Sequence, residues 1–369
     1  MATLAPTILI AGAPTLERYT EGILREGLQA CGASVRLAIF GEEDPAPQHT
    51  TPLECLCDEE LSALIQIHGS PEAEKHDRVL LAVARERLLT VSSPTALLLH
   101  RPDEIGQRFG KELSGWRFDA KARAAFVLLG TMFKGASFLS STGLPVEVIP
   151  HGFFKTEEIF QESPIIIGAH TGWGEMRSLE HATRLLAEIF KRSDGLPIVG
   201  YLGGGPKREL ALTKIEELLV AAGLGAFELV QASQLRLPLE LANHPRIIVS
   251  HEGDLPPGLA LTFNLQLYHL GGAVRRGESS GSLHRGVSIP VILEMNGAEI
   301  LEDLRVIKVP YADPGNASSA DWGAAADRVV SMVKSGQFKA QLAHNAGQAK
   351  KFSPFVVAER YLELFPRLA

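Results

Sequence analysis

The sequence has few cysteines, no excess of basic residues and no long apolar run, and each absence excludes a class of protein. Three cysteines in 369 residues cannot build a disulfide framework, and their positions match no metal-ligand spacing, so we expect no metal site. The net charge of −7 disfavours nucleic acid as a partner, because nonspecific binding needs a basic surface. No apolar run reaches the roughly 18 residues that cross a bilayer, so we expect no membrane span. With no basic leader at the N-terminus, these features predict a cytoplasmic protein.

What the sequence does contain is a regular alternation of short apolar strands and amphipathic helices. Strands predicted at 6–12 and 34–40 flank a helix over 15–31, which is a βαβ unit and predicts a parallel sheet. Further strands are predicted at 63–68, 95–100, 124–129, 146–149, 164–168, 198–202, 227–231, 247–250, 272–274, 291–293 and 306–309. Further helices are predicted at 178–191, 206–222, 322–334, 338–350 and 354–364.

The length and the alternation together predict two domains rather than one. A chain of 369 residues exceeds the size of a single typical core. An acidic stretch at 155–163 interrupts the alternation and reads as a hinge. We therefore predict an α/β protein with two Rossmann-like, doubly wound domains facing a central cleft. The expected boundaries are 1–157 and 158–352, followed by a C-terminal helix over 353–369 that packs back on the first domain.

Two tracts in the second half place glycine and serine between a strand and a helix. One contains Gly203-Gly-Gly205, and the other contains Ser280-Gly-Ser282. Glycine lets the backbone approach a ligand closely, and the following helix offers free N–H groups to an anion. The first tract is not a dinucleotide fingerprint, because the third glycine would stand where Arg208 is. The two loops therefore predict a phosphate-bearing ligand and disfavour a nicotinamide cofactor.

Taken in order, several tracts resemble those of the GT-B glycosyltransferases, specifically the retaining, nucleotide-sugar-dependent group called family 4. Gly12-Ala-Pro14 resembles the first glycine loop, and Val148-Ile-Pro-His-Gly152 resembles the V-I-P-N-G that ends the first domain. Gly203-Gly-Gly-Pro206 is similar to G-D-G-P, and Ile289-Pro-Val-Ile292 to the end of G-x-P-V-I. The resemblance covers nearly the whole chain. It implies transfer of a sugar from a nucleotide-diphosphate sugar to an acceptor in the cleft, with retention and without a cofactor or bound metal.

The resemblance also assigns roles to individual residues. A histidine near the transferred sugar can donate to a hydroxyl or manage the acceptor's proton, which makes His100 the candidate catalytic residue. The guanidinium of arginine and the N–H groups of a loop can donate hydrogen bonds to phosphate oxygens, and a carboxylate can accept one from a sugar or ribose hydroxyl. The donor-binding residues implied are Gly12, Ala13, Arg177, Gly204, Arg276, Glu278, Ser280, Gly281 and Ser282. Each also has a plainer explanation as a surface arginine, a helix cap, a tight turn or a strand-end histidine.

Two departures from the family pattern keep alternatives open. The family carries two glutamates with seven residues between them, whereas here Glu278 is followed at that spacing by Gly286. The first strand of the second domain ends in Gly168-Ala169, where the family has glycine and arginine. The chain could therefore be a GT-B protein that has lost transferase activity and binds another ligand, or a nucleotide-sugar epimerase. The sequence does not identify the acceptor. A lipid acceptor would require a peripheral association with the membrane, and no basic amphipathic segment supports one.

Overall fold

The structure is a computed structural model that describes eighteen stretches of the chain, and they divide into two compact units. Unit 1 contains the described residues up to Gly152 together with 350–369, and unit 2 contains those from Pro164 to Ala349. The predicted boundary at 157/158 lies outside the described residues and stays a prediction. The described residues are 5–12, 20–39, 61–69, 74–90, 93–100, 102–119, 122–129, 137–150, 152, 164–170, 179–203, 208–224, 228–229, 247–250, 259–265, 291–294, 307–308 and 319–369.

Unit 1 contains a parallel sheet of six strands among the residues described. The strands are β1 (Thr7–Gly12), β2 (Ser34–Ile39), β3 (Ala63–His68), β4 (Thr95–Leu99), β5 (Ala124–Leu128) and β6 (Val146–Val148). They lie in the order β2-β1-β3-β4-β5-β6, and every pair is parallel. The predicted parallel α/β sheet is thus confirmed, with β3 at its predicted bounds and the others within one residue of theirs.

Helices cover both faces of this sheet, and β1, β3, β4 and β5 are accordingly buried on both sides. Alternate strand residues such as Ile8 and Ile65 belong to one core cluster, while Leu97 and Leu99 belong to another on the opposite face. The helical elements of unit 1 are a π-helical turn (Thr20–Arg25), α1 (Glu26–Ala30), α2 (Glu74–Thr90), α3 (Pro102–Gly115), α4 (Ser137–Ser140), a 3₁₀ turn (Lys350–Phe352) and α9 (Pro354–Leu368).

The last helix, α9, is part of the unit 1 core. Ser353 caps it by accepting a hydrogen bond from the Val356 N–H at 3.2 Å, and Pro354 occupies its first turn. Val357 and Tyr361 are fully buried and share a cluster with β1, β3 and β4. A Cβ added at Gly27 of α1 would overlap the Pro354 carbonyl, so glycine is what permits the two helices to approach this closely.

Unit 2 contains a second parallel sheet, of seven strands within the described part of the chain. The strands are β7 (Ile165–His170), β8 (Ile198–Gly203), β9 (Glu228–Leu229), β10 (Ile247–Ser250), β11 (Leu259–Leu265), β12 (Val291–Glu294) and β13 (Ile307–Lys308). Their order is β13-β12-β11-β7-β8-β10-β9, with parallel pairing throughout. The helices among the described residues are α5 (Leu179–Arg192), α6 (Arg208–Ala221), α7 (Ser319–Ser335) and α8 (Gln337–Ala349), and all four contribute to one core with the strands.

The sequence-based assignment differs from the structure at several places in these units, among them α4, which it omits, and α9, which continues to Leu368 beyond its predicted end at 364. It omits β11, although Leu259, Leu261, Phe263 and Leu265 alternate with the period of a strand. It also omits α2 and α3, although α3 buries residues four apart on one face. β7 continues two residues beyond its predicted end, so Ala169 and His170 belong to the strand. The strand predicted at 272–274 lies outside the described residues.

Candidate functional site

The carboxyl edge of the unit 1 sheet has the geometry of a ligand site. β2 lies on one side of β1 and β3 on the other, so the direction of the connections reverses between β1 and β3. In open parallel sheets, ligands bind outside the carboxyl ends of the strands at this reversal. The two strands that flank it end at Gly12 and His68. This edge of unit 1 is therefore the place where a binding function is expected.

Gly12 is the last residue of β1 and is buried. A Cβ added there would lie 3.4 Å from Cβ of Ile67, which is an ordinary contact. Packing within the described residues therefore does not require glycine at this position. The donor-binding role implied by the family resemblance gives a different reason for it, and that role stays a prediction.

His100 lies at the same edge, immediately after β4. Its side chain is partly exposed. Its backbone N–H donates to the carbonyl oxygen of His68 at 2.8 Å, continuing the ladder in which His68 pairs with Leu99. Two histidines thus stand side by side at the ends of neighbouring strands, with the β1 terminus one strand further on.

A buried carboxylate holds the end of β3. Asp77, the fourth residue of α2, is 2% exposed, and its two oxygens accept the Gly69 N–H at 3.2 and 3.3 Å. Gly69 has a φ of +101°, so the turn after β3 needs glycine. The Nδ1 atom of His68, which is fully buried, lies 3.5 Å from the Oδ1 atom of Asp77. Sequence reasoning missed Asp77, and the available signal was an acid in the first turn of the helix that follows a strand-end histidine.

Gln66 adds a second buried polar side chain to this face of β3. It stands two residues before His68, so both side chains project from the same side of the strand. Its register partners are Ala11 on β1 and Leu97 on β4. Gln66 is fully buried, and its amide oxygen and nitrogen have no hydrogen-bond partner among the described residues. Buried amides are normally paired, so the carboxyl half of β3 is unusually polar for a central strand.

The carboxyl edge of the unit 2 sheet is built differently. The connections reverse between β7 and β11, and β7 and β8 end together because His170 pairs with Gly203. Tyr201 of β8 is fully buried. A Cβ at Gly203 would overlap the Tyr201 ring and hydroxyl, and a Cβ at Gly168 would overlap the Tyr201 carbonyl. Glycine is therefore required by packing at both positions, and the described part of this edge consists of backbone and one buried aromatic ring.

Most of the donor-binding residues implied by the resemblance lie outside the described residues. Gly12 and His100 are described, and both lie at the carboxyl edge of unit 1. The roles of all the candidates, including Gly12 and His100, stay predictions. Those that lie outside the described residues are Ala13, Arg177, Gly204, Arg276, Glu278, Ser280, Gly281 and Ser282.

Two ionisable groups away from these edges have shifted pKa values. Burial raises the pKa of the Cys31 thiol, and the charge of Glu359 raises it further. A hydrogen bond from Lys191 lowers the pKa of Glu188 on α5, and Arg192 adds to that effect.

In the stretches that the structure describes, no three His, Cys, Asp or Glu side chains gather so as to hold a metal ion. Among the described helices, none combines the length and apolar character needed to cross a membrane.

Comparison with known proteins finds similarity in structure alone. No known family profile matches the chain, and no curated protein matches its sequence. The structure is similar to a sucrose-phosphate synthase from Thermosynechococcus elongatus, with 11% identity, a TM-score of 0.56 and 99% of each chain covered. It is also similar to an alpha-glucosyltransferase solved with UDP and a 13-mer DNA containing an HMU base, with 11% identity and a TM-score of 0.58. That match covers 98% of this chain and 99% of the other.

The full-length coverage of two glycosyltransferase structures decides the architecture. The chain has the GT-B fold. A match to a chain of the GtfA/B complex has 12% identity and a TM-score of 0.49, and it covers 78% of this chain and only 60% of that chain. At these identities, the GT-B fold is what the chain shares with its structural neighbours.

Proposed function

We propose that this chain is a glycosyltransferase that moves a sugar from a nucleotide-diphosphate sugar to an acceptor, with retention of anomeric configuration. The observation that carries the proposal is the position of His100. It stands at the carboxyl edge of unit 1, beside the end of β3 at the strand reversal. This edge belongs to a chain that matches two glycosyltransferase structures along almost its whole length. A fold alone does not fix a function, so the argument depends on the chemistry of this edge.

The donor is proposed to bind at the carboxyl edge of unit 2. A departing diphosphate needs cations and N–H dipoles more than covalent chemistry. β8 ends at Gly203 on this edge and Gly204 follows it in the sequence, which supports close approach of a ligand to the backbone there. Arg177 and Arg276 would supply charge, and Gly204 and the 280–282 loop would supply N–H groups. Glu278 would accept a hydrogen bond from a hydroxyl of the sugar or ribose.

His100 is proposed to act on the sugar or on the acceptor's proton. Its imidazole can donate to a sugar hydroxyl in one protonation state and accept a proton in the other. We propose that the reaction uses no cofactor and no bound metal, as the resemblance to family 4 implies. The net charge of −7 supports an acceptor other than nucleic acid. Cysteine usage supports the cytoplasm as the place of reaction.

The first test is a thermal-shift panel with UDP, GDP, ADP, TDP and CDP and their common sugar conjugates, with and without EDTA. A ligand at about 100 times its Kd adds roughly 2.7 kcal/mol of stability, which is readily measured. We expect one base to raise Tm clearly and EDTA to leave that rise unchanged. If no nucleotide raises Tm, the proposal is wrong, and a protein that has lost transferase activity becomes the better explanation.

The donor assignment has a sharper test in Arg177→Ala. We expect this variant to lose the nucleotide-dependent rise in Tm, because it removes a guanidinium from the diphosphate. Arg328→Ala is a matched control, since Arg328 is exposed on α7. The control should keep the full rise. An unchanged rise in Arg177→Ala would refute the placement of the diphosphate while leaving the proposed reaction open to another donor geometry.

A further inference from the structure

The buried pair of Asp77 and His68 at the end of β3 has no role in the proposed reaction as described so far. Asp77 is 2% exposed and His68 is fully buried, so neither is placed to touch a substrate in this structure. Burying a carboxylate is costly unless hydrogen bonds or charges compensate it. The Gly69 N–H and the N-terminal turns of α2 provide such compensation.

The geometry determines which nitrogen of His68 faces the carboxylate. Nδ1 lies 3.5 Å from Oδ1 of Asp77, which is longer than an ordinary hydrogen bond but within the distance of an ion pair. A carboxylate on that side favours the form of the imidazole that carries its proton on Nδ1. Within the described residues, both ring nitrogens of His68 are buried and neither has a hydrogen-bond partner. Asp77 is the charged group that the structure places beside this ring, on its Nδ1 side.

The Asp77 carboxylate is also connected to His100 by hydrogen bonds of the backbone. Asp77 fixes Gly69 in its left-handed turn, and Gly69 follows His68 directly. The His68 carbonyl accepts the N–H of His100 at 2.8 Å. A displacement of the β3 end would therefore move the main chain at the residue that carries the proposed catalytic side chain.

We propose that Asp77 is a positioning residue for His100, acting through the oriented imidazole of His68 and the Gly69 turn. The proposal rests on the proposed function for its consequence in turnover, but the structural coupling can be measured without any substrate. It predicts that the charge of Asp77, and not only its volume, sets the tautomer of His68. It also predicts that the environment of the His100 ring changes when Asp77 is altered.

The direct test is NMR of the whole chain with ¹⁵N-labelled histidine side chains. Protonated and unprotonated ring nitrogens resonate at clearly different ¹⁵N frequencies, so the tautomer is read directly. His68→Asn and His100→Asn identify the two signals by their loss. We expect wild-type His68 to carry a proton on Nδ1. In Asp77→Asn, which preserves shape and an acceptor for Gly69, we expect the Nδ1-protonated fraction to fall and the His100 signals to shift.

Controls separate coupling from a loss of fold. His344 lies on α8 of unit 2, and its signals should be unchanged in Asp77→Asn. Asp77→Glu keeps the charge, and we expect it to restore part of the wild-type tautomer. The proposal is overturned if His68 is protonated on Nε2 alone in the wild type. It is also overturned if Asp77→Asn leaves the signals of both His68 and His100 where they were.

A turnover measurement then connects the coupling to the reaction. With UDP-glucose as the probe and UDP release as the readout, we expect Asp77→Asn to lower kcat on the order of tenfold with KM unchanged, as for loss of an outer-shell partner. A normal kcat alongside the expected NMR changes would overturn the positioning role. If the wild type releases no UDP from any conjugate of the panel, the proposed function fails, while the NMR result still decides the coupling of Asp77 to His100.

Discussion

The two sheet edges use different means to present chemistry, although both belong to parallel α/β units. The carboxyl edge of unit 1 brings together the polar side chains of Gln66, His68, Asp77 and His100. The described part of the unit 2 edge instead has glycines packed against Tyr201. At the first edge a partly exposed histidine, His100, can move a proton, whereas the glycines at the second edge make room for Tyr201. The proposed division of roles assigns proton transfer to the first edge and diphosphate binding to the second.

The largest expected effect tests whether the unit 2 edge truly requires glycine. In Gly168→Ala, the new methyl would overlap the Tyr201 carbonyl, and relieving the overlap would require the backbone of β8 to move. We expect a loss of roughly 3 kcal/mol or more in unfolding free energy, measured by urea denaturation. Gly12→Ala is the matched change at the unit 1 edge, where the methyl makes an ordinary contact. It should cost under about 1.5 kcal/mol, and similar losses for both variants would remove the contrast.

The next effect tests whether the unit 1 edge acts through side chains. His100→Ala should lower kcat about 100-fold, because general acid–base groups contribute at that scale. The nucleotide-dependent rise in Tm should stay at the wild-type value, since the diphosphate is proposed to bind unit 2. His344→Ala on α8 serves as the control and should keep full activity. A loss of nucleotide binding in His100→Ala would contradict the division of roles between the edges.

A smaller effect is expected from strain at the β3 turn. Gly69→Ala forces a left-handed conformation on alanine, which costs about 1–2 kcal/mol of unfolding free energy. Gly32→Ala imposes the same kind of strain at a φ of +86° with open space around it. Both variants should lose similar stability in urea. Only Gly69→Ala should disturb the His68 and His100 NMR signals, and equal disturbance by Gly32→Ala would show that stability alone controls the edge.

The smallest effect lies away from both edges, on α5 of unit 2. The lowered pKa of Glu188 means that the folded state favours its charged form, chiefly through the Lys191 hydrogen bond. This stabilisation is present above the ordinary carboxyl pKa and is lost as pH falls through the lower, folded value. Glu188→Gln should therefore lose a few tenths of a kcal/mol at pH 7, since such ion pairs are partly solvated. The difference from wild type should vanish in acid, which urea titrations at several pH values can follow.

Local pattern was sufficient to predict most of the strands. Apolar runs bounded by glycine, proline or polar residues predicted β1 to β6 within one residue. The runs are clearest in β1, β3, β4 and β5, because a strand that is buried on both faces is mostly apolar. The same reasoning omitted β11, although leucine and phenylalanine alternate along it. The helices α2 and α3 were likewise readable from their periodicity and were omitted.

The candidate site was less predictable than the fold. His100 could be singled out because it ends a buried run, and Gly12 because it ends the first one. Asp77 could not, since an acid early in a helix is ordinary unless its neighbour is known. Its importance comes from contacts with Gly69 and His68, eight and nine positions earlier in the chain.

The sequence by itself determined that this is a parallel α/β protein with repeated strand–helix units, because strand burial and helix amphipathicity are local properties of the chain. The order of the strands was decided only by the tertiary structure, which places the reversal between β1 and β3 in one unit and between β7 and β11 in the other. The buried pair of Asp77 and His68 and the overlap of Gly168 with Tyr201 were decided at the same level. They depend on distances between separate elements, and no local pattern records those distances.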